Sequence, residues 1–344
     1  MTTLKDKKFT DFALCREMLD VPAIIAGFDF SITKAEAAVI KRVGRLFLTG
    51  EGSSRIFPAK SFIAELRRNG SVIDAATEGS LQAIEYKLGN SVVFGASNSG
   101  QTKELVILFV KLVEQNHPHF YGITANANTK IKLLAKKTFV LNCGKEQAVA
   151  ATKSVIEQAL VYRSMLDVLC NAKLDYQKNQ AAAAKTAEQV LTQPIEEKLI
   201  DKLTAAPMIY FAGRNDGVAE ELTLKTSEIV RRKSLYLEGT YLLHGVEEIM
   251  NPDEVVVLIN PFESELETIK KNLVEKIGMT VIAIAPSDAK TSEYFPTIEY
   301  ERCNGYETFH QLMAGWNLLA RTGVALGIDL DKPKRARKIG NLCE

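Results

Sequence analysis

Short runs of branched and aromatic apolar residues alternate along the chain with longer segments whose apolar positions recur at helical spacing. This alternation predicts parallel βαβ units. Leu46–Leu48 reads as a buried strand ending at Gly50 and Gly52, and an amphipathic helix is expected over Ile56–Arg68. Ser71–Asp74 is expected as a short second strand. Ser91–Ala96 is a third, with Ser97–Thr102 at its end and a helix over Lys103–Glu114. Phe120–Thr124 and Thr138–Leu141 complete the set. The series restarts at Met208–Ala212, which leads through Gly213 to a helix over Val218–Lys233. Val255–Ile259 then answers Val92–Ala96, and Thr280–Ile284 answers Phe120–Thr124, each about 160 residues on, which is how an internal repeat shows itself. The expected fold class is therefore α/β: two tandem flavodoxin-like domains, each a parallel five-stranded sheet flanked by helices, over 1–195 and 196–344. Ala150–Cys170 and Leu174–Leu191 read as one helix each ahead of the boundary. A leading helix over Phe12–Ala26 and the Ala35–Lys41 segment are expected to pack on the first domain.

The 344 residues give roughly two domains by length, each able to bury a full core without disulfide or metal. Lys and Arg number 43 against 42 Asp and Glu, a formal charge of +1, so no electrostatic excess attracts a polyanion or an acidic membrane surface. No nucleic-acid or membrane partner is expected. The five cysteines, Cys15, Cys143, Cys170, Cys303 and Cys343, are scattered and form no CxxC pair, which reads as free thiols in a reducing compartment. Residues 1–12 lack the apolar stretch of a signal peptide, and no apolar run is long enough to cross a bilayer. The expectation is a cytoplasmic protein. His117, His119, His244 and His310 show no ligand spacing, so neither metal nor other cofactor is expected.

Ser97-Asn98-Ser99-Gly100-Gln101-Thr102 follows a buried strand and opens a helix. Hydroxyls and backbone amides there converge on a positive helix terminus, and Gly100 allows close approach, the makings of a phosphate cradle. An ordinary Ser/Thr helix cap is the alternative. Gly50-Glu51-Gly52-Ser53-Ser54 is a second turn of this kind. Two hydroxyl-rich turns at the carboxyl ends of parallel strands suit one small phosphorylated ligand. A dinucleotide is disfavoured, because Gly50–Arg55 does not meet GxGxxG and no spaced acidic residue stands ready for a ribose.

At these residues the chain resembles the sugar isomerase (SIS) family, and in tandem form the isomerase half of glucosamine-6-phosphate synthase, over nearly its whole length. The family's Ser-x-Ser-Gly-x-Thr turn is matched by Ser97, Ser99, Gly100 and Thr102, with Asn98 between them, and a further phosphate-side serine by Ser54 in Gly52-Ser53-Ser54. Gln147–Lys153 is similar to the family's Val-Ala-Ser-Thr-Lys helix start, with Ala151 in place of serine, which removes one sugar contact. The resemblance implies a catalytic glutamate at Glu228 and a ring-opening histidine sixteen residues on at His244, with Glu221 and Lys225 as buried polar partners. The residues themselves leave other readings open: Glu221, Lys225 and Glu228 share a helix face as a solvated charge ladder would, and a lone histidine in Leu242-Leu243-His244-Gly245 suits a core. The family's His-Gly-Pro is here His-Gly-Val, followed by Glu247 and Glu248. The tail Asp329–Lys338 resembles the synthase's Asp-x-Pro stretch, making Lys338 the match for a Schiff-base lysine; a solvated basic tail is the alternative.

On the resemblance, the phosphate fixes one end of an open-chain sugar while Glu228 passes a proton between neighbouring carbons. That chemistry serves aldose-ketose isomerisation, deamination of an amino-sugar 6-phosphate, or deglycation of a fructosamine 6-phosphate. No glutamine amidotransferase domain is expected ahead of the chain, which lacks an N-terminal nucleophilic cysteine, and the reading leans to an amine-releasing deglycase or deaminase. A phosphosugar-binding sensor is the non-enzymatic alternative, though no helix-turn-helix is evident. The family also implies a homodimer or higher assembly, with a histidine from one chain completing the other's site.

Overall fold

A computed structural model of the chain describes residues 2–337. Among these residues ten strands form two five-stranded sheets, parallel throughout. The first contains β1 (Arg45–Gly50), β2 (Asp74–Glu78), β3 (Val92–Ala96), β4 (Phe120–Thr124) and β5 (Lys137–Val140), in the order β2-β1-β3-β4-β5. The second contains β6 (Met208–Gly213), β7 (Lys233–Glu238), β8 (Val255–Ile259), β9 (Thr280–Pro286) and β10 (Thr297–Tyr300), in the order β7-β6-β8-β9-β10. Renumbered within each sheet, both orders are 2-1-3-4-5. The internal repeat is thus a repeat of topology, with β3 and β8 as equivalent third strands, and both are buried at every position. In this order the chain reverses direction across the sheet between the first and third strands, where open α/β sheets bind ligands at the carboxyl ends.

Helices flank each sheet. The helix Lys103–Glu114 buries Leu105, Val106, Leu108, Phe109 and Leu112. It lies close to β3 because Gly95 has no side chain: a Cβ there would stand 2.5 Å from Leu105 Cδ1 and 2.7 Å from the Phe109 ring. That contact fixes the turn Ser97–Thr102 between strand and helix.

The compact units are not divided by a single cut at 195. One unit holds Ala23–Glu146 and Ala151–Gln180; the other holds the segment up to Pro22, Gln147–Ala150 and Ala181–Ala336. The leading segment therefore belongs with the second sheet, contrary to the sequence expectation. The cause lies in its polar anchors: the Asp331 carboxylate accepts the Ala13 and Leu14 amides at 2.7 and 2.9 Å, at the start of the helix Ala13–Leu19, and Arg321 donates to the Thr2 carbonyl at 2.9 Å. The helix expected over Phe12–Ala26 breaks at Asp20 into Ala13–Leu19 and Val21–Gly27. Ala150–Cys170 likewise divides into Lys153–Arg163 and Leu166–Cys170, where Ser164 Oγ bonds back to the Val161 carbonyl at 2.7 Å.

Candidate functional site

The hydroxyl turn of the first sheet forms a tight constellation. Ser97 Oγ lies 2.8 Å from Thr102 Oγ1 and 3.3 Å from Ser99 Oγ. The Gly100 amide donates to Ser97 Oγ at 3.0 Å and the Gln101 amide to Ser99 Oγ at 3.1 Å. Thr102 occupies the position before the helix yet makes no side-chain cap bond, so the simple cap reading does not describe this turn. Gly100 adopts φ +63°, and a Cβ there would fall 2.5 Å from the Thr129 side chain; glycine meets both demands. Ser97 is 2% exposed, and Ser99 and Thr102 are half-buried.

Asn98 is held from both ends. Its carbonyl accepts the Ala125 amide at 3.1 Å, Thr124 Oγ1 at 3.1 Å and Asn126 Nδ2 at 2.9 Å. Its side-chain amide donates to the Glu146 carboxylate and, at 2.8 Å, to Ser154 Oγ. On the neighbouring strand, Gly50 is paired with Ala96 across β1 and β3, and Gly52–Ser54 form a 3₁₀ turn. Ser54 Oγ accepts Gln158 Nε2 at 3.4 Å, while Gly52 is exposed and Ser53 and Ala151 are half-buried. Both turns expected to hold phosphate thus stand at the carboxyl ends of adjacent strands in one unit.

In the second unit, Glu221, Lys225 and Glu228 do share a face, but not as a solvated ladder. Lys225 and Glu221 are fully buried and 3.3 Å apart, while Lys225 Nζ donates to Glu228 Oε2 at 2.7 Å. The Glu228 side chain is 24% exposed. A carboxylate reachable from outside is therefore fixed by an ammonium wholly inside. The helix does not run on to Lys233: Val218–Lys225 is α-helical, Thr226–Val230 is a π-helical turn, and Arg231 at φ +56° ends it. Thr223 and Thr226 return their hydroxyls to the carbonyls of Ala219 and Leu222, at 2.9 and 2.8 Å, a competition with the backbone ladder that favours such irregularity. Single π turns inside helices occur often at functional sites, and this one carries Glu228.

His244 is exposed, which rules out the core reading. It follows the 3₁₀ turn Tyr241–Leu243, and Gly245 at φ +95° donates its amide to Glu247 Oε2 at 2.7 Å. Lys338 lies outside the described residues. The tail leading toward it is anchored in the second unit, where Arg231 donates to the Asp329 and Lys332 carbonyls at 2.6 and 2.9 Å.

Burial pushes the Cys15 thiol up to about 12 and the Cys303 thiol up to about 11, and raises Cys143 and Cys170 as well, so none of these four suits thiolate nucleophilic catalysis near neutral pH. Among the described residues no group of three or more His, Cys, Asp and Glu is arranged to hold a metal ion, and no helix is long and apolar enough to cross a membrane.

No family model matches the chain. It is 24% identical over 258 residues to the glutamine–fructose-6-phosphate aminotransferase (isomerizing) of Legionella pneumophila strain Paris, a match covering 72% of this chain and 43% of the relative, so it spans less than half of that protein. Its fold is that of the tagatose-6-phosphate ketose/aldose isomerase of Escherichia coli, with a TM-score of 0.75 at 17% identity over 96% of this chain and 99% of the other. It is equally that of the glucosamine-6-phosphate deaminase of Thermotoga maritima, with a TM-score of 0.74 at 19% identity over 96% and 100%. The repeated sheet, the Ser-x-Ser-Gly-x-Thr turn and this sequence match agree in their similarity to the sugar isomerase (SIS) family.

Proposed function

We propose that the chain is an enzyme acting on an amino-sugar or fructosamine 6-phosphate, releasing its amine by proton transfer on the open-chain sugar. The observation that carries this reading is the pairing of a partly exposed Glu228 carboxylate with the buried Lys225 ammonium at 2.7 Å. A base so fixed keeps one orientation while its outer oxygen stays reachable, as repeated proton transfer between adjacent carbons requires. On this reading Ser54, Ser97, Ser99 and Thr102 hold the phosphate. Glu228 removes a proton from one carbon and returns it to its neighbour, turning the carbon–nitrogen single bond into an imine, which one water hydrolyses to a carbonyl and the free amine. His244 opens the ring, reaching the ligand from a second copy of the chain, and its exposure suits that role. Lys338 is assigned the Schiff base with the keto carbon, its amine adding as water is lost and water later restoring the carbonyl. Support for an amine-handling rather than a purely isomerising enzyme comes from the names of an aminotransferase and a deaminase among the similar proteins.

The test is amine release measured beside aldose-ketose conversion, on glucosamine 6-phosphate, fructose 6-phosphate and fructosamine 6-phosphates, for the native protein and Glu228→Gln. Release that disappears in the variant is the expected result. Conversion without release would make the protein an isomerase, and binding with neither activity would make it a sensor.

A further inference from the structure

We propose that Glu146 is a positioning residue that sets the phosphate-holding turn through Asn98, a role that rests on the functional reading above. Glu146 is 4% exposed, and its carboxylate collects donors from two separate stretches of chain. Oε1 accepts the amides of Thr152 and Ser154 at 2.9 and 3.2 Å, and Oε2 accepts Ser154 Oγ at 2.8 Å together with the side-chain amide of Asn98. The first three partners stand at the start of the helix Lys153–Arg163, whose residue Thr152 supplies no side-chain cap of its own. Glu146 takes over that capping and favours the positive end of the helix.

The fourth partner connects this cap to the turn. Asn98 sits between Ser97 and Ser99, with its carbonyl already tied to the loop after β4. Fixing its side chain as well removes the remaining freedom of the residue, so the two serine hydroxyls flanking it keep their spacing. A carboxylate can only accept, and each of these four partners donates. An amide in its place must turn an NH2 group toward donors on one of its two sides. The negative charge of Glu146 would repel a phosphate directly, so its contribution runs through Asn98 and not by contact.

The experiment uses the full chain and the variants Glu146→Gln, Asn98→Ala, Ser154→Ala and the Glu146→Gln/Asn98→Ala double variant. Calorimetric titration with fructose 6-phosphate measures affinity, and hydrogen exchange measures protection of the 97–102 amides. Glu146→Gln is expected to weaken binding at least tenfold and to speed exchange in that turn at least tenfold, with exchange in β6–β10 unchanged. Asn98→Ala should match it, and the double variant should be no worse than either single one, as for residues acting through one network in which Ser154 bridges Asn98 and Glu146. Native affinity and native exchange in Glu146→Gln, or additive losses in the double variant, overturn the proposal. Should Glu146→Gln fail to fold, Asn98→Ala and Ser154→Ala carry the same comparison: native exchange in the turn for both overturns it. A native protein that binds no sugar phosphate sinks the functional reading, while the exchange data still decide whether Glu146 sets the turn.

Discussion

Acidification tests the buried core beside the second sheet through a single group. His310 lies in the helix Glu307–Ala325 with no solvent exposure, and its Nε2 stands 3.0 Å from the Ala183 carbonyl. Facing an acceptor, Nε2 carries the proton of the neutral ring, so a second proton would have to enter at Nδ1, which has no hydrogen-bond partner among the described residues. Burial accordingly pushes the pKa of His310 down from 6.5 to about 4. An unfolded chain takes up that proton near pH 6.5, whereas the folded one resists until about pH 4. The stability associated with the neutral ring is therefore fully present above pH 6.5, is lost progressively as the pH falls toward 4, and changes no further below. At about 1.4 kcal/mol per pH unit, the loss across the window is about 3 kcal/mol. Trp316, the one tryptophan of the chain, is fully buried in the same helix and reports its unfolding by fluorescence. Urea unfolding followed at Trp316 from pH 7 to pH 4 should show the native protein losing its advantage over His310→Gln by about 3 kcal/mol. Carboxylates titrate in both proteins and cancel in the difference. A gap between the two that stays constant over this range would refute the reasoning.

Two further substitutions bear on the candidate site. Lys225→Met leaves the fully buried Glu221 without its ammonium neighbour, and removing one member of a buried ion pair costs about 3–5 kcal/mol; urea unfolding should show a loss of that size, and adding Glu221→Gln should recover part of it. Gly100→Ala forces an L side chain into φ +63° and against Thr129, costing about 1–2 kcal/mol for the backbone and about 1–3 kcal/mol for the crowding. Titration with a sugar phosphate should show weakened binding in Gly100→Ala, and unchanged affinity there would mean the turn does not hold the ligand.

What could be read in advance was whatever the chain encodes locally. The helices Ile56–Arg68 and Lys103–Glu114 occupy the expected residues, and β3, β4 and β8 do so almost to the residue, because central parallel strands are apolar on both faces. Of the edge strands, β5 at Lys137–Val140 overlaps the expected Thr138–Leu141, whereas β7 and β10 escaped notice and β2 was misplaced for the converse reason. Lys233–Glu238 alternates exposed and half-buried positions over most of its length, Thr297–Tyr300 is four residues long, and β2 begins at Asp74 where a strand over Ser71–Asp74 was expected. The hydroxyl turn was legible because its groups lie within six consecutive residues. Glu146 was not, since its bond to Asn98 spans 48 residues and leaves no periodic trace. The π turn was equally silent, as its apolar spacing is that of an ordinary helix until the backbone is seen. The grouping of the leading helices followed from Asp331, more than 300 positions away, which no local pattern announces.

The two sheets share a strand order but not the turn that follows the third strand: Ser97-Asn98-Ser99 after β3, Asn260-Pro261-Phe262 after β8. One copy keeps its hydroxyls; the other places a proline and an aromatic ring at the same topological point, with the Arg214 guanidinium 4.3 Å above the ring of Phe262. A duplicated fold need not be a duplicated receptor. If the hydroxyl turn holds the phosphate as proposed, binding capacity and chain mass are uncoupled, and saturation with a sugar phosphate is expected at one molar equivalent per polypeptide although the architecture carries its sheet twice.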